Sequence, residues 1–185
     1  MTSTRRLPPS SSVAPSAVAD STATSTPSPQ AAQVVLGPEG LGVVAFGDPA
    51  GEVVAELTGL LGRPTDDRPL GSCPTGEAER LVEFAELAVL IGDREGTARF
   101  VAWDVGEPSG AIPVLQTAEG IGVGATLADV RSVYGDRLEM AADDPFGPSF
   151  EIGVPPPGRL GGTLTGTTAT DTVATLRGGA ATCGE

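Results

Sequence analysis

Carboxylates are the side chains through which this chain could do chemistry, because most of the alternatives are missing. It holds 24 acidic residues against 11 basic ones, all arginine, and has no histidine, lysine or asparagine. Without histidine there is no Ser-His-Asp triad, no Cys-His dyad and no imidazole ligand for zinc. Without lysine the phosphate-binding P-loop fails, and without asparagine there is no N-glycosylation sequon. Two carboxylates flanking a sugar could serve as acid and base. The dense acidic points are Asp143-Asp144, Glu83 with Glu86, and Asp93 with Glu95. Each sits in a hairpin or loop context, where solvated surface charge is the plainer reading. Calcium-binding EF-hand spacing is absent. Ser109, in EPSGA, lies outside any GxSxG and has no histidine to activate it. No catalytic residue and no metal ligand is assigned.

Gly120, Gly122 and Ala125 spell GxGxxA, and Glu139 follows near the distance of a ribose-binding acid. On paper that is a dinucleotide fingerprint. Three features oppose it. The preceding AIPVLQTAE is a poor buried parallel strand, and the helix that follows is too short for a βαβ crossover. A sister stretch, EGLGVVAFGDP at 39–49, keeps the turn and loses the fingerprint. Glycines that permit a tight turn into a capped helix explain both copies, so no cofactor is expected.

The two cysteines, Cys73 and Cys183, form no CxxC motif and are too few for a thiolate zinc site. Both lie in loop-like contexts, SCPTG and TCGE, rather than in the apolar stretches that hold buried thiols. They are read as a disulfide formed in an oxidising compartment. Closing so long a loop contributes about 4 to 5 kcal/mol in the chain-entropy model, less any strain. Two free cytosolic thiols are the alternative. Trp103 is the single tryptophan. Such a side chain can anchor a protein interface or fill the core between helix and sheet, and it is the candidate partner-binding residue.

A net charge of −13 repels phosphate backbones and anionic bilayers, so neither nucleic acid nor a bare membrane surface is an expected partner. No run of 18 apolar residues exists to span a bilayer.

These residues must be positioned by elements the sequence also announces. Residues 1–32 are rich in Ser, Thr, Pro and Ala and cannot offset their ordering entropy, so they read as a disordered tail or stalk. Arg5 and Arg6 could pass for the start of a signal peptide, but no apolar run follows. Strands are predicted at 33–37 and 41–46. A helix is predicted over 48–62, with Asp48 as its cap and Pro49 in its first turn. The stretch 63–76 reads as a loop. Strands follow at 79–84, 86–92 and 98–105, the second and third joined by the hairpin Gly92-Asp93-Arg94-Glu95-Gly96. Strict alternation in the last puts Phe100, Ala102 and Asp104 on one face, with Val101, Trp103 and Val105 on the other. One more short strand is predicted near 113–117. Thr126 with Asp129 forms a capping box for a helix whose stripe is Leu127, Val130 and Tyr134, ended by Gly135. Four strands are predicted at 137–141, 148–153, 160–166 and 172–178.

EGLGV at 39–43 matches EGIGV at 119–123, Gly47 matches Gly124, and Val53 matches Val130. The same order of elements follows both, which reads as an internal repeat. GLGVVAFGDPAGEVVAEL and GIGVGATLADVRSVYG resemble a glycine-turn and helix element of secreted or lipid-anchored actinobacterial proteins. TAEGIGVGATLADVRSVYGDRLE and the closing RGGAATCGE are most similar to that group. Its element is similar to those of β-lactamase inhibitory protein and of the accessory lipoprotein of the outer-membrane barrel assembly machine. The resemblance implies tandem α+β units over about residues 34–185, export, and binding without catalysis.

The expected architecture is therefore α+β. Two tandem units, 33–117 and 118–185, each place a short helix on an antiparallel sheet. The expected function is a non-enzymatic, secreted or cell-envelope module that binds another protein through an outer sheet face or the proline-rich loops. A carboxylate-dependent hydrolase of cell-wall glycan is the alternative function, and the cytoplasm the alternative location.

Overall fold

Strands are the main regular structure among the described residues. The computed structural model describes residues 34–71, 78–94, 96–143, 147–154 and 158–179. The tail at 1–32, Cys73, Cys183, Glu95 and Asp144 lie outside the described residues. In chain order the elements begin β1 (Val34–Gly37), β2 (Gly40–Gly42), α1 (Ala50–Leu61), β3 (Asp66–Pro69), β4 (Ala78–Phe84), β5 (Leu87–Arg94) and β6 (Thr97–Val105). They continue with β7 (Gln116–Thr117), α2 (Leu127–Tyr134) and a 3-10 turn at Gly135–Arg137. The last four are β8 (Leu138–Ala141), β9 (Ser149–Ile152), β10 (Leu160–Leu164) and β11 (Val173–Gly179).

The fold is α+β, with two α-helices and two sheets among the described residues. Each helix is followed by a four-stranded antiparallel meander, β3 to β6 after α1 and β8 to β11 after α2. The two meanders meet through their last strands. β6 pairs antiparallel with β11, which gives one eight-stranded sheet in the order β3-β4-β5-β6-β11-β10-β9-β8. The halves therefore join edge to edge, not by stacking one scaffold on the other. That junction leaves no unpaired edge at the centre of the molecule. The second sheet is small and mixed: β2 and β7 flank β1, β2 antiparallel and β7 parallel to it.

Directly opposed residues on neighbouring strands point to the same face, so the register assigns the faces. One row runs Leu138, Ile152, Leu160, Gly178, Trp103, Val89, Val82 and Asp67 across all eight strands. Its apolar members join one core with Val53 and Leu57 of α1, Leu127, Val130 and Tyr134 of α2, and Leu36 and Leu41 of the small sheet. Both helices and the small sheet thus cover the same face. A separate group on the other face, Ala78, Leu81, Leu90, Val101 and Ala102, has only Leu70 and Ala88 packed against it among the described residues.

α2 starts as its sequence predicts. Thr126 Oγ1 accepts from Asp129 N, and Asp129 Oδ2 accepts from Thr126 N, the two halves of a capping box. α1 does not. Asp48 Oδ2 accepts from Ala45 N at 2.8 Å, so the carboxylate closes the preceding turn, and Pro49 takes the cap position without a side-chain hydrogen bond. The expected strand at 41–46 is cut to Gly40–Gly42, because the chain turns back there and Leu41 N bonds Val44 O. The alternation in β6 also breaks. Leu90 opposes Ala102 while Ile91 opposes Phe100, so Val101 is the extra residue of a bulge. Phe100 consequently turns to the helix face with Trp103 and Val105.

Candidate functional site

On the face opposite the helices, the register lines up Glu139, Glu151, Gly161, Arg177, Asp104, Ala88, Glu83 and Asp66, one residue per strand. Five of these eight are carboxylates and one is arginine. On every strand but β3 the alternation puts them there, because their neighbours on either side turn to the helix face; Asp66 is placed by its pairing with Glu83. Glu139 and Glu151 are exposed, while Asp104, Arg177, Glu83 and Asp66 are partly buried. The next row on the same face is small and hydroxylic: Ala141, Ser149, Thr163 and Thr175. Thr163 and Thr175 share a hydrogen bond of 2.9 Å between their hydroxyls. Together these rows form an acidic surface with no helix upon it among the described residues.

Asp104 sits at the middle of this surface, opposite Arg177 across the β6–β11 junction. Burial holds its carboxyl above the usual carboxylate range, and the Arg177 guanidinium opposes that shift. On the helix face of the β3 edge the balance differs. The Arg80 guanidinium donates to both carboxylate oxygens of Asp67, at 2.7 and 2.6 Å, and holds that carboxyl below its usual range. Arg68 pairs with Asp66 at 2.8 Å. Both pairs are exposed and add little stability.

Trp103 is not on this surface. Its side chain has no exposed area, and its indole Nε1 donates to Gly37 O at 3.0 Å, tying β6 to β1 of the small sheet. A side chain with no exposed area cannot contact a partner from the folded state. Of the two readings of Trp103, core packing is the one the structure bears out. Glycine at 178 makes room for it, since a Cβ there would lie 2.5 Å from Trp103 Cε2.

The other sequence candidates scatter. Glu83 belongs to the acidic row, whereas Glu86 accepts from Ser109 Oγ at 2.6 Å in a loop. Asp93 Oδ1 accepts from Gly96 N at 2.7 Å inside its hairpin. Arg99 donates to Gly47 O at 2.8 Å. The GxGxxA stretch is not a phosphate cradle. The amides of Gly120, Gly124, Leu127 and Ala128 already donate to Thr117 O, Val173 O, Asp171 O and Ala169 O. Glu139 lies on the open sheet face. Among the described residues no three His, Cys, Asp or Glu side chains cluster as a metal site, and no helix is long and apolar enough to cross a membrane.

No family model matches the chain, and no curated protein matches it. Among solved structures, the crystal structure of the uncharacterized protein yfeY from Escherichia coli is similar. The TM-score is 0.46 at 12% identity, over 79% of this chain and 97% of that one. A likeness of that strength says nothing about activity.

The acidic row was not legible as a site beforehand. Its members lie on eight different strands, and only the pairing order brings them together. Period-two alternation could have put Asp104 and Glu151 on a shared outer face, but not side by side.

Proposed function

We propose that this protein is a non-enzymatic binding module, secreted or held in the cell envelope, which docks another protein on the open face of its eight-stranded sheet. The observation that carries the reading is the carboxylate-rich row crossing all eight strands opposite the helices. Such a face favours a partner with a basic surface, since complementary potentials steer encounter and fix register. A glycan hydrolase would work through two carboxylates set in a cleft, whereas the opposed pairs Glu139–Glu151 and Glu83–Asp66 lie on the sheet face. The half-buried Asp104 is faced by Arg177, which favours binding over hydrolysis.

We also infer that the two halves are copies of one unit. Gly47 N donates to Phe100 O while Phe100 N donates to Asp48 O. Gly124 N donates to Val173 O while Val173 N donates to Ala125 O, the same pair of bonds in the other half. Both glycines have positive φ, 94° and 89°. With Phe100 matched to Val173, a constant offset matches Trp103 to Leu176, Asp104 to Arg177 and Val105 to Gly178. The junction then obeys a two-fold relation, since Trp103 opposes Gly178 and Val105 opposes Leu176. Asp104 and Arg177 sit on its axis.

Export is supported by the composition of the tail and by the two cysteines, for which a Cys73–Cys183 bond remains our reading. Ala78 opposes Gly92, and Gly179 opposes Ala102, so β4 begins and β11 ends at the same end of the sheet. The segments bearing the two cysteines leave from those points, three strand spacings or about 14 Å apart.

A photo-crosslinking residue installed singly at Glu151, Thr163 and Thr175, and for comparison at Glu56 and Arg131 on the helices, tests the reading in the native host. Discrete protein adducts are expected from the three sheet positions and not from the helices. Adducts from the helix positions alone would overturn it. So would glycan-cleaving activity that disappears in Asp104→Asn.

A further inference from the structure

A cavity of about 420 Å³ lies on the helix side of the sheet, away from the acidic face. One wall is the β1–β2 hairpin, and the other is formed by α2, β9 and β10. Leu36, Val44, Tyr134, Ile152, Val154 and Leu160 give it an apolar interior. Its size and lining are those of small-molecule sites, which pair an apolar body with a few polar groups. The hairpin wall is firmly held. Gly40 has φ +151°, and a Cβ there would stand 2.2 Å from Val44 O, so the turn closes tightly on itself.

Three charged side chains also line the cavity: Glu39, Glu119 and Arg137. All three are exposed. The Arg137 guanidinium lies over the Tyr134 ring, 5.4 Å from its centroid, a cation–π contact that holds its charge at the ring face. Tyr134 OH lies within hydrogen-bond distance of both Glu119 Oε2, at 3.2 Å, and Thr117 Oγ1, at 3.0 Å. The tyrosine thus holds one oxygen of Glu119. Two carboxylates and one guanidinium that is already stacked thus line the cavity, in a chain of net charge −13.

We propose that this cavity binds a small amphipathic amine, with its apolar body among Leu36, Ile152 and Leu160 and its ammonium between Glu39 and Glu119. Charge complementarity selects the cation, and the apolar interior selects the body. The site stands apart from the protein-docking face and does not rest on it.

The protein carries its own reporter. Trp103 Nε1 is bonded to the carbonyl of Gly37, a residue of the cavity wall. Titration with 4-phenylbutylamine, 4-phenylbutanol and 4-phenylbutyrate, followed by Trp103 emission and by ligand-observed NMR, compares a cation, a neutral group and an anion on one body. The amine should saturate and bind about tenfold or more tighter than the carboxylate. Glu39→Gln with Glu119→Gln should weaken the amine to the level of the alcohol and leave the alcohol unchanged. Both substitutions are at exposed positions and keep the fold. Val154→Phe, which adds bulk to the cavity lining, should remove binding of the amine and the alcohol. The proposal is overturned if no probe saturates, if the carboxylate binds as tightly as the amine, or if amine binding survives Val154→Phe. Binding lost instead in Glu139→Gln with Glu151→Gln would assign the amine to the open sheet face, and would also overturn it.

Discussion

Replacing Gly178 by alanine strikes the junction of the two halves at its tightest point. The new Cβ would lie 2.5 Å from Trp103 Cε2 and 2.6 Å from Cζ2 and Nε1. Comfortable carbon contacts begin near about 3.5 Å, so the overlap is about 1 Å on three atoms. The indole has nowhere to go, being fully buried and tethered to Gly37 O. Overpacking of a rigid site costs about 1 to 3 kcal/mol. If the indole shifts enough to lose its acceptor, the buried N–H adds about 1 to 3 kcal/mol. The expected loss is thus about 1 to 3 kcal/mol, rising to about 2 to 6 kcal/mol if that acceptor is lost, read as a fall in urea midpoint at unchanged m. Trp103→Phe makes the test specific, since the smaller ring vacates the space in question. In that background, followed by far-UV circular dichroism, Gly178→Ala should cost at least about 0.5 kcal/mol less, the mark of direct contact in a double-mutant cycle. A cost below about 0.5 kcal/mol, or the same cost in both backgrounds, would refute the account of the junction.

Other outcomes follow from single residues. Asp104 has its folded-state pKa raised above 3.8, chiefly by burial. Its neutral form therefore contributes stability that is full below the unfolded pKa and lost as pH rises through the folded one. Asp104→Asn should raise Tm by about a few degrees at pH 7, and the gain should vanish by about pH 3; a gain that persisted there would contradict the cause assigned. Thr126→Ala removes the side-chain half of the α2 capping box and should cost about 1 kcal/mol. Asp129, held below 3.8 chiefly by the Thr126 hydroxyl, contributes stability present above the unfolded pKa and lost as pH falls through the folded one. The Thr126→Ala defect should accordingly shrink in strong acid, as thermal melts across pH would record. Gly59, exposed within α1 with open space where a Cβ would go, should gain about 0.5 to 1 kcal/mol as alanine in urea unfolding.

Local chemistry in the sequence carried far. The Thr126–Asp129 capping box, the stripe of Leu127, Val130 and Tyr134, and the paired strands of the second half all stand as their residues suggest. What escaped was set by partners distant in the chain. β3 is the wholly polar Asp66–Pro69, with no alternation to announce it, and it forms because β4 offers an edge. Asp48 could serve either the helix or the turn before it, and the backbone amide of Ala45 takes it. A bulge at Val101 leaves no mark in the sequence, yet it reverses Phe100. Trp103 has the composition of an anchor on a surface as readily as in a core, and only Gly178, on the far strand, decides for burial. The acidic face has the same cause, because which strands neighbour one another follows from β6 meeting β11.

Charge reversal on that face is the most direct measure of the proposed role. Glu139→Lys combined with Glu151→Lys alters two exposed side chains and leaves the core untouched, which near-UV circular dichroism would verify. With a photo-crosslinker at Thr175 in the native host, the account predicts that adduct yield falls at least about tenfold, as expected when like charges replace complementary ones across an interface. An undiminished yield of the same adduct from the folded double variant would contradict it.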